Sequence, residues 1–102
     1  MVYYDRCKKN EATADKRTVY FQVTGTLPSK ASLSINGAGF ANSTNAPATV
    51  SGNHRKLVLT QAEVNFVGKM VIDVTTTVSV DQAYIILRVG VGDPFANNWP
   101  GW

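Results

Sequence analysis

Apolar and polar positions alternate with a period of two along most of this chain, the pattern of half-buried β-strands. In Thr18 to Thr24, Val19, Phe21 and Val23 fall on one face, and every residue except Gln22 favours strands. Gly25 and Pro28-Ser29-Lys30 break that run. Ser32 to Ile35 alternates again with Leu33 and Ile35 inward, and Asn36-Gly37 follows as a hairpin turn with positive φ at both central positions. The return strand is expected to carry Phe40, with Ala38 and Gly39 leaving room for a bulge. Residues 42–48 form a loop by composition, and Thr49-Val50 opens a short strand that Gly52-Asn53 ends.

The second half is more strongly patterned. His54 to Leu59 is expected as a strand with Leu57 and Leu59 inward. Thr60-Gln61-Ala62-Glu63 then matches a capping box, with one helical turn at most from Gln61 to Asn65. Lys69 to Val78 predicts a long strand with Met70, Ile72, Val74, Thr76 and Val78 on one face and Val71, Asp73 and Thr75 on the other. Asp81-Gln82 is expected to turn the chain into Ala83 to Val91. There Ile85, Leu87, Val89 and Val91 oppose Tyr84, Ile86 and Arg88, and two apolar faces predict a central strand. Roughly five to seven strands, frequent turn signals and no amphipathic helix predict an all-β fold: a small antiparallel β-sandwich, immunoglobulin-like or jelly-roll-like. The expected organisation is an N-terminal arm over residues 1–17, which has room for one short edge strand, a sandwich over 18–92 and an aromatic C-terminal tail over 93–102.

Composition narrows the function. With 102 residues, 44% of them hydrophobic and 17% charged, the chain can fold around one core. The net charge of +3 is too small and scattered for a nucleic-acid footprint. Arg6, Lys8, Lys9, Lys16 and Arg17 crowd the leading segment, which is read as a solvated arm or one laid over an acidic partner surface. Cys7, the single cysteine, permits no internal disulfide and is expected to be a small buried hydrophobe. No apolar run reaches membrane-spanning length and the leading residues are not those of a signal peptide, so the expectation is a protein made and assembled in a cytosol, without membrane association.

Candidate chemistry is sparse. The seven carboxylates are dispersed, and His54 is the sole imidazole, at a strand start. No serine or cysteine sits in a nucleophile-elbow context, so no enzyme activity, metal or cofactor is expected. Aromatic residues remain as candidate interface anchors: Phe95, Trp99 and Trp102 in the tail, and Tyr3 and Tyr4 near the start. Each such ring buries about 150–250 Å², which favours covering it. Two readings of the tail stay open: it folds back on its own sandwich, or it inserts into a groove on a neighbouring subunit.

Four segments taken in order carry a family resemblance: Asn36-Gly37-Ala38-Gly39-Phe40, Leu59-Thr60-Gln61-Ala62-Glu63, the strand Lys69 to Val78, and Asp93-Pro94-Phe95-Ala96 with Pro100-Gly101. From about Ser32 onward this order resembles a β-sandwich structural module of tailed bacteriophages. Such modules usually sit inside longer tail, baseplate or fibre proteins. A free-standing one with an arm and an aromatic tail is similar to a capsid decoration or cement protein. The resemblance implies a virion protein that stabilises the head by binding between subunits of the major capsid protein or other virion proteins, as a homo-oligomer in the particle. A tail, neck or baseplate component is the first rival. The second is a carbohydrate-binding module aiding host adsorption, which requires solvent-facing rings such as Tyr20 and Tyr84 on one sheet.

Overall fold

In the computed structural model, residues 2–77 and 82–92 are described. They form eight strands: β1 (Val2–Lys8), β2 (Thr18–Gln22), β3 (Ser32–Ile35), β4 (Ala41–Asn42), β5 (Ala48–Ser51), β6 (His54–Val58), β7 (Gly68–Thr75) and β8 (Gln82–Gly90). A short 3-10 turn, Ala14–Arg17, is the sole helical element among the described residues. The strands make two sheets, one of five strands in the order β1-β8-β7-β3-β4 and one of three in the order β2-β6-β5.

Both sheets bury the faces that the alternation points inward. Val19, Phe21, Val23, Leu57 and Leu59 from one side meet Leu33, Met70, Ile72, Val74, Ile85, Leu87 and Val89 from the other in a single core. Ala31, Val64, Ala83 and Cys7 complete it, with Ile35 and Phe66 packed against it. The result is sandwich-like, but the larger sheet is mixed. β1 runs parallel to β8, from Val2 opposite Tyr84 to Lys8 opposite Gly90. The purely antiparallel expectation is corrected on this point.

The leading segment, expected as an arm with room for one edge strand, carries such a strand at the edge of the larger sheet. β1 covers the free edge of β8 along its length, and Cys7 lies in the core. Its poor sequence signal has a simple cause, since the alternate series Tyr3, Asp5, Cys7 contains a carboxylate. Beyond β1 the backbone stays tied down: the Lys9 and Asn10 N–H groups donate to the Gly90 and Val64 carbonyls at 2.6 and 3.0 Å. Arg17 then clamps the connection, its guanidinium donating to the Glu11 and Leu59 carbonyls at 2.7 and 2.9 Å.

Local signals place several turns correctly. Asn36 and Gly37 have φ of 52° and 81°, and the Ala38 N–H closes the turn on the Ile35 carbonyl at 3.0 Å. The Thr60 N–H donates to Glu63 Oε1 at 2.7 Å while the Glu63 N–H donates to Thr60 Oγ1 at 3.2 Å, the reciprocal pairing of a capping box. Other expectations shift. Gln82 opens β8 rather than forming a turn, and Val91 lies past the end of β8 and is exposed. Phe40 precedes the two-residue β4 and is exposed too. The tail anchors Phe95, Trp99 and Trp102, together with Val78, lie outside the described residues.

Candidate functional site

Two surfaces of the described residues stand out. The first is the outer face of the five-stranded sheet. Alternate residues Val2, Tyr4, Arg6 and Lys8 point away from the core, and the parallel register sets them next to Tyr84, Ile86, Arg88 and Gly90. Across β8, Tyr84, Ile86 and Arg88 neighbour Asp73, Val71 and Lys69 of β7. The face therefore carries an apolar band, with Val2 beside Tyr84 in one row and Tyr4, Ile86 and Val71 in the next. A row of three cations, Arg6, Arg88 and Lys69, closes one end. Tyr4 is 77% exposed and Val2 48%, while Tyr84, Ile86 and Val71 are half-buried.

Tyr3 and Tyr4 are separated by this geometry. Tyr3 points inward and packs against the core. Its phenol oxygen accepts the Gln22 N–H at 3.0 Å, and its hydroxyl reaches the Gln22 carbonyl at 3.5 Å. The ring thus ties the edge of the larger sheet to the edge of the smaller one. Tyr4, its neighbour in sequence, has its ring in solvent.

Asp5 and Cys7 share the parity of Tyr3 on β1, Cys7 buried in the core and Asp5 exposed at its margin. Asp5 Oδ1 accepts the Arg6 N–H at 2.8 Å. Loss of solvent pushes the Asp5 carboxyl above its ordinary range, while that hydrogen bond works in the opposite direction. Burial, then the negative charges of Glu11 and Asp5, raise the Cys7 thiol from 9.0 to about 11, against a smaller opposing effect of Arg17. Such a thiol is a core group and a poor nucleophile.

The second surface is a groove of about 350 Å³ at the end of the sandwich where β2 finishes and β6 begins. Tyr3, Tyr20, Phe21 and Gln22 line one side, and Val50, Ser51, His54 and Arg55 the other. A β-bulge in β5 shapes it: the register slips between Thr49, opposite Arg55, and Ser51, opposite His54, leaving Val50 as an extra residue. Arg55 faces inward opposite Phe21 and is only 8% exposed. Its guanidinium donates to Thr49 Oγ1 and to the Gly25 carbonyl, both at 3.0 Å, and Nε has no partner.

Arg55 shares the inward parity of Leu57 and Leu59, but a cation at the start of a strand reads as a solvated position. The ring pair Tyr20 and Tyr84 is not brought together either: Tyr20 projects from β2 of the smaller sheet and Tyr84 from β8 of the larger, on opposite outer faces. Among the described residues no group of three His, Cys, Asp or Glu side chains is placed to hold a metal ion. No described helix is long and apolar enough to cross a membrane. Comparison of the chain with protein-family models, curated proteins and solved structures returns no match.

Proposed function

We propose that this protein is a non-enzymatic structural component of a bacteriophage virion, a capsid decoration or cement protein that binds between subunits of the major capsid protein. The observation that carries the reading is the apolar band on the outer face of the five-stranded sheet, with Tyr4 and Val2 in solvent at its edge. An aromatic ring flanked by aliphatic neighbours on a rigid sheet loses little entropy on docking, and such residues dominate interface energies. Many weak contacts of this kind, repeated over a shell, hold it firmly through avidity. Assembly takes place in the host cytoplasm, and the protein is a homo-oligomer in the particle. A tail, neck or baseplate position is the rival location for the same docking face.

Strand order supports the immunoglobulin-like form of the sandwich over the jelly-roll. Taking β2 to β8 as strands B, C, C′, D, E, F and G, the larger sheet contains G-F-C-C′ and the smaller is B-E-D. The leading strand lies parallel to the last one.

Co-sedimentation of the purified protein with empty heads tests the function. The expected result is saturable binding at many copies per head, abolished by Tyr4→Ser with the fold preserved. A second chain lacking residues 95–102 is expected to fold and to fail to incorporate. Binding to tails but not to heads would move the assignment to the rival location. Full incorporation of both variants would overturn the docking reading.

A further inference from the structure

We infer that the groove between β2 and the β5–β6 hairpin is a binding site for a ring-bearing carboxylate of the sugar-acid class, with Arg55 as its charge partner. The strongest observation is the state of Arg55. A guanidinium withdrawn from water is costly unless a negative charge answers it. Arg55 is nine-tenths buried, its two hydrogen bonds go to a neutral hydroxyl and a neutral carbonyl, and its Nε has no partner. Among the described residues no carboxylate lines the groove it borders. An incoming anion supplies the missing countercharge, and arginine's planar fork suits a carboxylate.

The remaining walls select what the carboxylate is attached to. At about 350 Å³ the groove is within the size range of small-molecule sites, and a bare anion would leave most of it unfilled. Tyr20, 60% exposed, offers its ring from the outer face of the β2 edge, and Gln22, Ser51 and His54 add polar groups to the lining. Ring faces together with several hydrogen-bonding groups fit a hydroxylated ring. A peptide adding as a strand fits less well, because the Gln22 N–H and carbonyl at the β2 edge already engage the Tyr3 phenol. Val50, the extra residue of the bulge, gives an apolar contact on the opposite wall.

The site lies on the smaller sheet, so it stands or falls independently of the Tyr4 docking face. Titration of the full chain with glucuronate, glucose, acetate and a short acidic peptide, followed by the backbone amide resonances, tests it. Glucuronate is expected to give saturable shifts confined to Tyr20, Gln22, Ser51, His54 and Arg55, with glucose and acetate at least about tenfold weaker. Arg55→Gln and Tyr20→Ala are each expected to weaken glucuronate about tenfold. Tyr20 is outward-facing, so its variant keeps the test valid if Arg55→Gln fails to fold. Absence of saturable shifts, equal binding of acetate, or tighter binding of the peptide would each overturn the assignment.

Discussion

The carboxamide of Asn36 occupies the space that a side chain on Gly68 would need. Gly68 opens β7 with φ at 140°, and a methyl built on it would collide with the Asn36 side chain. In that position Asn36 Oδ1 accepts the Lys69 N–H at 3.0 Å and Nδ2 donates to the Val67 carbonyl at 3.3 Å. The turn after β3 is thereby fastened to the entry of β7, its neighbour in the sheet. Gly68→Ala introduces both the collision and an unfavourable backbone, and is expected to cost about 1–3 kcal/mol in urea unfolding. Asn36→Gly keeps the positive φ but loses the clamp, at about 1 kcal/mol. A Gly68→Ala protein as stable as the parent would contradict this account.

Tyr3 and Tyr4 are expected to respond in opposite ways. Tyr3→Phe keeps the ring in the core but deprives Gln22 of its partner, and is expected to lower unfolding free energy by about 1 kcal/mol. Tyr4→Ser removes a solvent-facing ring and is expected to stay within about 0.5 kcal/mol of the parent. Thermal or urea denaturation of the two variants side by side distinguishes staple from docking residue. Equal losses would show that both rings are structural.

Glu63 does more than close the capping box. Its Oε1 accepts the Thr60 N–H, and its Oε2 accepts the Thr44 N–H at 2.9 Å, joining the loop after β4 to the turn after β6. Glu63→Ala is expected to cost about 1–2 kcal/mol, more than Thr60→Ala at about 1 kcal/mol. Denaturation midpoints of the two variants measure the difference. A smaller loss for Glu63→Ala would rule out the second anchor.

Cys7 sets a limit at high pH. Its thiol titrates at about 11 in the folded chain against 9.0 as the reference, so between these values the unfolded state holds fewer protons than the native one. Stability from this group is intact below pH 9 and is lost as pH rises toward 11, by about 1–2 kcal/mol. Urea midpoints for the parent and Cys7→Ala, compared between neutral and high pH, isolate that slope from tyrosine and lysine titration. The thiol is also expected to resist alkylation at pH 8 until the chain unfolds. Rapid labelling of folded protein would refute the burial.

Much of the fold was legible because its signals are local. Alternation in Thr18 to Val23, Met70 to Val74 and Ala83 to Val89 identified the inward residues, and they are the ones that form the core. The candidate sites were less legible. Tyr3 and Tyr4 read alike as exposed-or-interface aromatics until strand pairing sent them to opposite faces. Arg55 has the parity of the inward Leu57, but its burial depends on the Gly25 carbonyl and Thr49 hydroxyl brought to it from other segments.

By itself the sequence determined what neighbouring residues can settle among themselves: the strand periods, the Asn36-Gly37 turn with both φ values positive, and the Thr60–Glu63 box. Only the tertiary structure decided that Val2–Lys8 joins the sheet, and that it does so parallel to β8. That pairing links the two ends of the described chain, where backbone hydrogen bonds and the seat of Cys7 outweigh the poor strand pattern of Asp5 and Arg6. The alternation of Ala83 to Val89 marks a strand but does not name its partner, because each strand's partner is chosen by the shape of the completed core.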